Sequence, residues 1–307
     1  MKKTFYYLIF IALCIVSCKK EPKLVGDPII YENIYKETNK VMFDVIYEYP
    51  TVLREVKIHL ASNANMNDTI VCMANINGKQ FNATIEGLEV NTRYYYLYEY
   101  FTGTTSSKSN VNSFHNKPLT PMEINGVKWA PCNVGAPNFF TNNPEDAGMF
   151  YQWGSNVGWS SNDPLTASDG DNAWRILNET GDDWQSSKNP CPPGYRVPTM
   201  SELERLTNTS QVTREWTTKN GVLGCCFTDK TTADYIFLPA AGCRWGYYSY
   251  SCYGRLSIVG TDGIYWSSTP NIVGGADHIQ FNEYYLYTYY NGGYRAHGSS
   301  IRCVAEQ

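Results

Sequence analysis

A cysteine-anchored turn at residues 190–198 restricts the backbone more than any other stretch of this chain. In the run Pro190-Cys-Pro-Pro-Gly-Tyr-Arg-Val-Pro198, two prolines follow the cysteine and a glycine follows them. Proline fixes φ and glycine supplies backbone freedom, so the run predicts a tight turn. Only three residues remain before the next proline, which leaves room for a short strand.

A short amphipathic helix is predicted directly after this strand. Thr199 is followed three residues later by Glu202, the capping-box pattern in which each side chain bonds to the other's backbone N–H. Met200, Leu203 and Leu206 recur at helical spacing and form one apolar stripe. We therefore expect this helix to pack against a core.

Length and composition favour an extracellular, β-rich protein of two domains. The chain has 307 residues, and one domain usually takes about 100 to 200. Aromatic residues make up 15% of the chain and charged residues only 18%, a balance that is untypical of disordered proteins. Because the net charge is −4, no basic surface for nucleic acid is expected.

The N-terminus carries the features of a bacterial lipoprotein signal. Two lysines precede an almost wholly apolar run at residues 5–16, and Ile15-Val-Ser-Cys18 resembles the lipobox, the cleavage motif of such lipoproteins. The resemblance implies that residues 1–17 are a signal peptide. Cys18 would then carry the lipid, and residues 18–30 would form a tether. An ordinary secretory peptide and a short buried helix are the alternatives.

A lipid on Cys18 would hold the chain on a membrane, because several acyl chains on one residue anchor firmly. We expect a lipid-anchored protein of the outer membrane that faces the cell surface. An orientation towards the periplasm is the alternative. No segment after the signal approaches the roughly 18 consecutive apolar residues of a membrane span.

Residues 31–117 show the pattern of successive β-strands. Val41, Phe43, Val45 and Tyr47 alternate with other residues, as in a strand with one buried face. Asn77-Gly78 is a hairpin signal. This segment is therefore predicted to be an all-β sandwich.

A tyrosine-corner pattern makes the prediction for this segment more specific. Leu88, Thr92 and Tyr94 precede a strand, and a closing strand reaches Phe114. The segment resembles a fibronectin type III domain. Such domains usually act as spacers or as protein-contact modules, and the fold alone says little about function.

Six motifs run in order through residues 118–307, after two prolines that mark a domain boundary. They are Gly126-Val-Lys-Trp129, Pro144-Glu-Asp-Ala-Gly-Met-Phe150, Cys191-Pro-Pro-Gly-Tyr-Arg, Ile236-Phe-Leu-Pro-Ala-Ala-Gly242, Tyr265-Trp-Ser-Ser-Thr269 and Gly298-Ser-Ser-Ile-Arg302-Cys303. In this order and spacing they resemble the Fibrobacter succinogenes major paralogous domain, which is frequent in surface lipoproteins of Bacteroidetes. The resemblance implies an irregular α+β fold similar to C-type lectins and to the formylglycine-generating enzyme. It implies no catalytic residues.

Lectin-like folds often tie such a turn to the last strand, so the resemblance implies a disulfide between Cys191 and Cys303. Adjacent side chains on a strand point to opposite faces, so Cys225 and Cys226 need different partners or remain thiols. Cys243 and Cys252 could bridge each other or meet that pair, and Cys132 is expected as a buried thiol.

Motifs for metal binding and for catalysis are missing from the sequence. The cysteine spacings do not fit a zinc site, and His278 and His297 have no partner at ligand spacing. Asp169-Gly-Asp171-Asn172 lacks the spaced oxygens of a calcium loop, so a solvated turn is expected there. No G-x-S-x-G or H-E-x-x-H run is present. We expect no metal, no cofactor and no enzymatic activity.

The strongest sequence signal for binding is an aromatic loop at residues 245–253. Its candidate ligand-binding residues are Trp245, Tyr247, Tyr248, Tyr250 and Tyr253. Loops rich in Tyr, Gly and Ser recur in binding surfaces, because tyrosine offers a large contact area at low entropic cost. The alternative is that all these rings are packing residues.

A second tyrosine-rich segment follows at residues 284–290. Its tyrosines are expected to divide between the two faces of one strand, so that about half are core. Asn291-Gly-Gly293 is expected to turn the chain towards a closing strand at residues 300–304.

Together these features predict a surface lipoprotein whose C-terminal domain recognises an extracellular glycan or protein without catalysis. A structural subunit of a surface fibre is one alternative. A cysteine oxidase like the formylglycine-generating enzyme is another.

Overall fold

Two antiparallel sheets form the first part of the computed structural model, which describes residues 29–48, 52–103, 105–175, 184–246, 253–270 and 275–306. The strands of this part are β1 (Ile29–Glu37), β2 (Lys40–Glu48), β3 (Glu55–Ala61), β4 (Ile70–Met73), β5 (Asn75–Asn77), β6 (Gln80–Glu86), β7 (Thr92–Phe101), β8 (Ser106–Lys108) and β9 (Asn112–Asn116). One sheet contains β1, β2, β6 and β5, and the other contains β4, β3, β7 and β8, with β9 also paired to β7.

Aromatic rings fill the space between these two sheets. Phe43 on β2 packs on Tyr96 of β7 with ring centroids 4.9 Å apart, and Phe81 on β6 packs on Tyr98 at 5.3 Å. The alternation predicted for residues 41–47 is confirmed, because Val41, Phe43, Val45 and Tyr47 are all buried in this core. The Asn77-Gly78 hairpin is also present, between β5 and β6.

The hydroxyl of Tyr94 accepts a hydrogen bond of 2.8 Å from the backbone N–H of Glu89. A tyrosine hydroxyl bonded to the backbone just upstream is the contact that defines a tyrosine corner. It holds the loop before β7 against the sheet.

The remaining strands belong to smaller sheets, and the described part of this region contains one short α-helix. The strands are β10 (Met122–Ile124), β11 (Val127–Trp129), β12 (Phe140–Thr141), β13 (Phe150–Tyr151), β14 (Gly158–Trp159), β15 (Tyr195–Arg196), β16 (Val212–Lys219), β17 (Val222–Asp229), β18 (Tyr235–Pro239), β19 (Cys243–Arg244), β20 (Leu256–Ser257), β21 (Gly263–Pro270), β22 (Gly275–Phe281), β23 (Leu286–Tyr294) and β24 (Val304–Ala305). The helix α1 spans Met200–Glu204 and continues as a 3-10 turn at Arg205–Thr207. The chain is thus rich in β-structure, with several sheets.

The turn and helix around residues 190–206 have the predicted form. Thr199 caps α1, and its backbone N–H donates to Glu202 Oε2 at 2.8 Å, which completes the capping box. Arg196 on β15 makes two hydrogen bonds to the same carboxylate, at 2.8 and 2.7 Å. Met200 and Leu203 are buried, as the apolar stripe predicts.

Strand β12 joins the first sheet although it lies far along the chain. It pairs with β1, with Tyr35 opposite Thr141. The Tyr35 ring is buried among residues of the second half, and a Cβ at Gly135 would lie 2.1 Å from that ring. The first strand is therefore packed against both halves of the chain.

Two buried arginines hold the loops of the second half together. Arg302 donates to the carbonyls of Pro131 at 3.1 Å and Phe237 at 2.9 Å, and to Asn133 Oδ1 at 2.9 Å. Arg244 donates to the Ser160 carbonyl at 2.6 Å. Burial lowers the pKa of both guanidinium groups, and the carbonyl oxygens around them satisfy their donors.

The turn expected at Asn291-Gly-Gly293 is wrong, because these residues lie inside β23. Gly293 pairs with Ala276 across the sheet. A Cβ at this glycine would lie 2.6 Å from Trp266 Cζ3. The glycine therefore allows a close approach of the strand to an indole ring and does not reverse the chain.

Candidate ligand-binding site

Only two of the five predicted loop residues lie within the described part of the chain. Trp245 and Tyr253 are half-buried at the two ends of the loop. Tyr247, Tyr248 and Tyr250 lie outside the described residues, as do Cys18 and Cys252. The loop and the lipidation site therefore remain predictions.

The base of this loop is held by backbone pairing. The Trp245 N–H donates to the Arg255 carbonyl at 3.0 Å, and Gly254 N–H donates to the Trp245 carbonyl at 2.8 Å. Arg244 pairs with Gly298 from the C-terminal part of the chain. These contacts bring Trp245 beside His297, with ring centroids 4.9 Å apart.

Gly246 permits this approach because it has no side chain. A Cβ at this position would lie 1.8 Å from the carbonyl oxygen of Ala296, far inside van der Waals contact. The Gly246 N–H also donates to His297 Nδ1 at 3.3 Å. The proton of the neutral His297 ring therefore lies on Nε2.

One face of the sheet β21–β22–β23 carries several aromatic rings, which are buried around Trp266 and His278 and exposed at Tyr287. His278 is paired with Tyr289, and Gln280 with Tyr287, so these four side chains share one face. Tyr285 stacks on Tyr287 with centroids 4.7 Å apart. On the opposite face, Ile279 is buried in the core.

The expectation that about half of the tyrosines at residues 284–290 are core is wrong. Tyr284 is 85% exposed, and Tyr287 and Tyr290 are each 53% exposed. The physical reason is that β23 is the last strand of its sheet, so one side of it has no neighbouring strand. Leu286 of this strand is half-buried and packs against the core.

A cavity of about 230 Å³ opens beside this face and is called the aromatic cavity here. Its lining includes Trp245, Trp266, His278, Tyr289, Tyr294 and His297. Tyr294 is 52% exposed at its edge, and Trp266 is buried beneath it. No carboxylate is among the described residues that line it.

Both histidines of the aromatic cavity are held in the neutral form. Burial lowers the pKa of His278 to about 4, and the neighbouring His297 adds a smaller effect in the same direction. Burial likewise lowers the pKa of His297 to about 4. At neutral pH the cavity therefore presents uncharged rings.

These histidines were missed as binding residues because their partners lie far away in sequence. The signal that could have revealed them is the alternation on two strands. Ile264 and Trp266 alternate with Tyr265 on β21, and His278 and Gln280 alternate with Ile279 on β22, so that Tyr265 and Ile279 lie on the opposite face. Such alternation places all four on one face.

The structure joins Cys191 and Cys303 in a disulfide that spans 112 residues of sequence. Cys225 is buried in the core and Cys226 is half-buried, as expected for adjacent residues of a strand. Neither is bonded to Cys243, which is also a free thiol. Burial, with a contribution from Asp262, raises the pKa of the Cys243 thiol to about 12.

The described residues contain no group of three His, Cys, Asp or Glu side chains arranged to hold a metal ion. In the turn at residues 169–172, Arg175 forms ion pairs with Asp169 and Asp171, which occupies the two carboxylates. Within the described ranges, no helix has the length and apolar character needed to cross a membrane.

No protein-family model matches the chain, and no curated protein matches it either. Among solved structures, a family 56 carbohydrate-binding module, a β-1,3-glucan binding domain, is 14% identical with a TM-score of 0.22, covering 28% of this chain and 98% of its own. The sensor domain of an anti-sigma factor from Pseudobacteroides cellulosolvens is 18% identical with a TM-score of 0.23, covering 31% and 100%. A family 64 laminaripentaose-producing β-1,3-glucanase from Paenibacillus barengoltzii is 11% identical with a TM-score of 0.25, covering 70% and 45%.

Proposed function

We propose that this chain binds a glycan, without catalysis, on the aromatic face of the sheet β21–β22–β23. The observation that carries the proposal is the position of Tyr287 and Tyr294. Each ring is more than half exposed, and Tyr294 lies at the edge of the aromatic cavity. Tyr287 contacts Tyr289, which lines the same cavity, with ring centroids 6.1 Å apart. Patches of exposed apolar surface often mark binding sites.

The chemistry of the aromatic cavity suits a sugar ring. The apolar C–H face of a pyranose packs flat on an aromatic ring, and Tyr289 and Tyr294 of the lining offer such rings. Hydroxyl groups of the sugar need polar partners at the edge of the contact. The Nε2–H of neutral His297 and the amide of Gln280 supply a donor and an acceptor there.

The same surroundings do not favour catalysis. Glycoside hydrolysis usually requires a pair of carboxylates. The described lining of the aromatic cavity contains none. The thiolate is the reactive form of cysteine, and Cys243 in this lining is held protonated by its raised pKa. These features support recognition over hydrolysis or thiol oxidation.

The proposed setting is the outer membrane, with lipid on Cys18 and a tether that leads to the first sheet pair. The motifs quoted above support assignment of residues 31–117 to a fibronectin type III-like domain. They also support assignment of residues 118–307 to a Fibrobacter succinogenes major paralogous domain.

Labelling of cells with an alkynyl fatty acid tests the lipid anchor, because Cys18→Ser should abolish incorporation of the fatty acid. Protease treatment of intact cells then tests exposure at the surface.

Binding to a glycan array tests the proposed site directly. Replacing Tyr287 and Tyr294 together by Ala should weaken binding by about tenfold or more, as loss of central aromatic contacts does. Tyr235→Ala is the matched control, because Tyr235 is 50% exposed on a different sheet. Equal glycan binding by the double variant and by this control would refute the site.

A structural subunit of a surface fibre is the second candidate function. It is favoured by β4, an edge strand on which Ile70, Val71 and Met73 are each about half exposed. Exposed apolar edge strands are templates for pairing with another chain. Purification from cells with a stoichiometric partner, lost in Val71→Lys, would support this role.

A further inference from the structure

We propose that a second cavity, between β1 and the second half of the chain, binds a small polar ligand that carries a protonated amine. This junction cavity has a volume of about 640 Å³, within the range of small-molecule sites. Glu32 and Tyr35 of β1 line one side of it. Glu145 and Asp146 line the other side, on the loop that follows β12.

The charge of the junction cavity is negative. Its described lining contains the carboxylates of Glu32, Glu145 and Asp146, and no Lys, Arg or His side chain. Lys36 is the neighbouring cation on β1, but it is buried and does not line the cavity. A cationic ligand is therefore attracted to this space.

Glu145 is the residue whose hydrogen bonding is incomplete. It is only 7% exposed, and its Oε1 accepts a bond of 2.5 Å from Asn220 Nδ2 at the tip of the β16–β17 hairpin. Its Oε2 is buried and has no partner among the described residues. A buried carboxylate oxygen without a donor is costly, so a ligand that donates a hydrogen bond to this oxygen would be favoured at this place.

The other polar groups of the cavity are either occupied or also lack a donor. Both oxygens of Glu32 accept bonds from tyrosine hydroxyls, those of Tyr96 at 2.7 Å and Tyr98 at 2.6 Å. Asp146 accepts from the Asn143 N–H at 2.8 Å. Asn142 Oδ1 is buried with no partner among the described residues. Among the described residues of this lining, the buried side-chain atoms that lack a partner are thus both acceptors, on Glu145 and Asn142.

A ligand that matches these positions offers several donors and one positive charge. An amino sugar has this chemistry, because its ammonium group donates three hydrogen bonds and its hydroxyls donate more. In the proposed complex the Glu145 carboxylate turns towards the cavity and pairs with the ammonium group. The site differs from the aromatic cavity in both lining and ligand charge.

Calorimetric titration of the purified chain with glucosamine and with N-acetylglucosamine tests this proposal. The two sugars differ in the charge on nitrogen, so glucosamine should bind at least about tenfold more tightly. Glu145→Gln keeps the shape of the side chain and should weaken glucosamine binding by about tenfold. Glu123→Gln, at an exposed position on β10, is the matched control and should leave binding unchanged.

Val222→Lys provides a second test that does not depend on a buried position. Val222 lines the junction cavity and is 37% exposed, so lysine is tolerated there and places an ammonium group of the protein at the cavity. Glucosamine binding should then be lost. Equal affinity for the two sugars, unchanged binding by Glu145→Gln, or absence of glucosamine binding would each overturn the proposal.

Discussion

The imidazole of His278 stacks on the ring of Tyr289, with ring centroids 5.0 Å apart and planes 8° from parallel. The two residues are directly paired across β22 and β23. Trp266 contacts the same imidazole edge-on, with centroids 5.5 Å apart. His278 is thus enclosed by aromatic rings, which disfavours its charged form.

This enclosure predicts a stability that declines in mild acid. The unfolded chain binds a proton on His278 as the pH falls through 6.5, whereas the folded chain does so only near pH 4. The free energy of unfolding should therefore fall between these values, by roughly 1 kcal/mol per pH unit for one histidine. Urea titrations of His278→Gln should give a shallower decline than wild type. His115→Gln, on the first pair of sheets, is the control, and an equal decline in all three proteins would contradict the expectation.

Loss of the buried Arg302 side chain should be strongly destabilising. Arg302→Leu removes the donors to Asn133, Pro131 and Phe237, and leaves buried oxygens without partners. A buried acceptor that loses its donor costs about 1–3 kcal/mol, so the loss of three such bonds should cost at least about 3 kcal/mol. Chemical denaturation measures the loss, with Arg255→Leu at an exposed position as the control. A change below about 1 kcal/mol, typical of surface sites, would show that these bonds contribute little.

Removal of the disulfide should lower the melting temperature. A bridge between residues 112 apart restricts the unfolded chain, and the chain-entropy model gives about 4–5 kcal/mol for loops of this length. Cys191→Ser combined with Cys303→Ser should therefore melt at a lower temperature than wild type under non-reducing conditions. Added reductant should lower the melting temperature of wild type but not that of the double variant. Cys72→Ser, which removes a free thiol, serves as the control.

Gly246→Ala should impair ligand binding at the aromatic cavity. Its Cβ would collide with the Ala296 carbonyl, so the strand pairing that places Trp245 beside His297 must shift. Glycan binding should fall by about tenfold or more, as it does when a binding residue is misplaced. Trp245→Ala separates the two effects, because it removes the ring while the backbone contact remains. Unchanged binding in both variants would place the ligand elsewhere.

The local elements of this fold were predictable from sequence because neighbouring residues determine them. The capping box of α1 depends on Thr199 and Glu202, three residues apart, and the hairpin at Asn77-Gly78 depends on two adjacent residues. The alternation at residues 41–47 likewise reports one strand with one buried face.

The binding face was less predictable because it depends on which strands are neighbours. Trp245 and His297 are brought together by pairing between segments about 50 residues apart, and no local pattern encodes that pairing. The tyrosines of β23 look the same in sequence whether the strand is central or at an edge. In the structure β23 lies at the sheet edge, and Tyr287 and Tyr290 are each 53% exposed there.

The pairing of β12 with β1 has a practical consequence for dissecting the protein. A fragment that starts at Pro118 would retain Gly135 and its neighbours but lose the Tyr35 ring that covers them. In that fragment β12 would also lack β1, the strand with which it pairs. Each half expressed alone would therefore expose apolar surface that is buried in the full chain. Low solubility of such fragments would reflect this exposure and not a weak native fold.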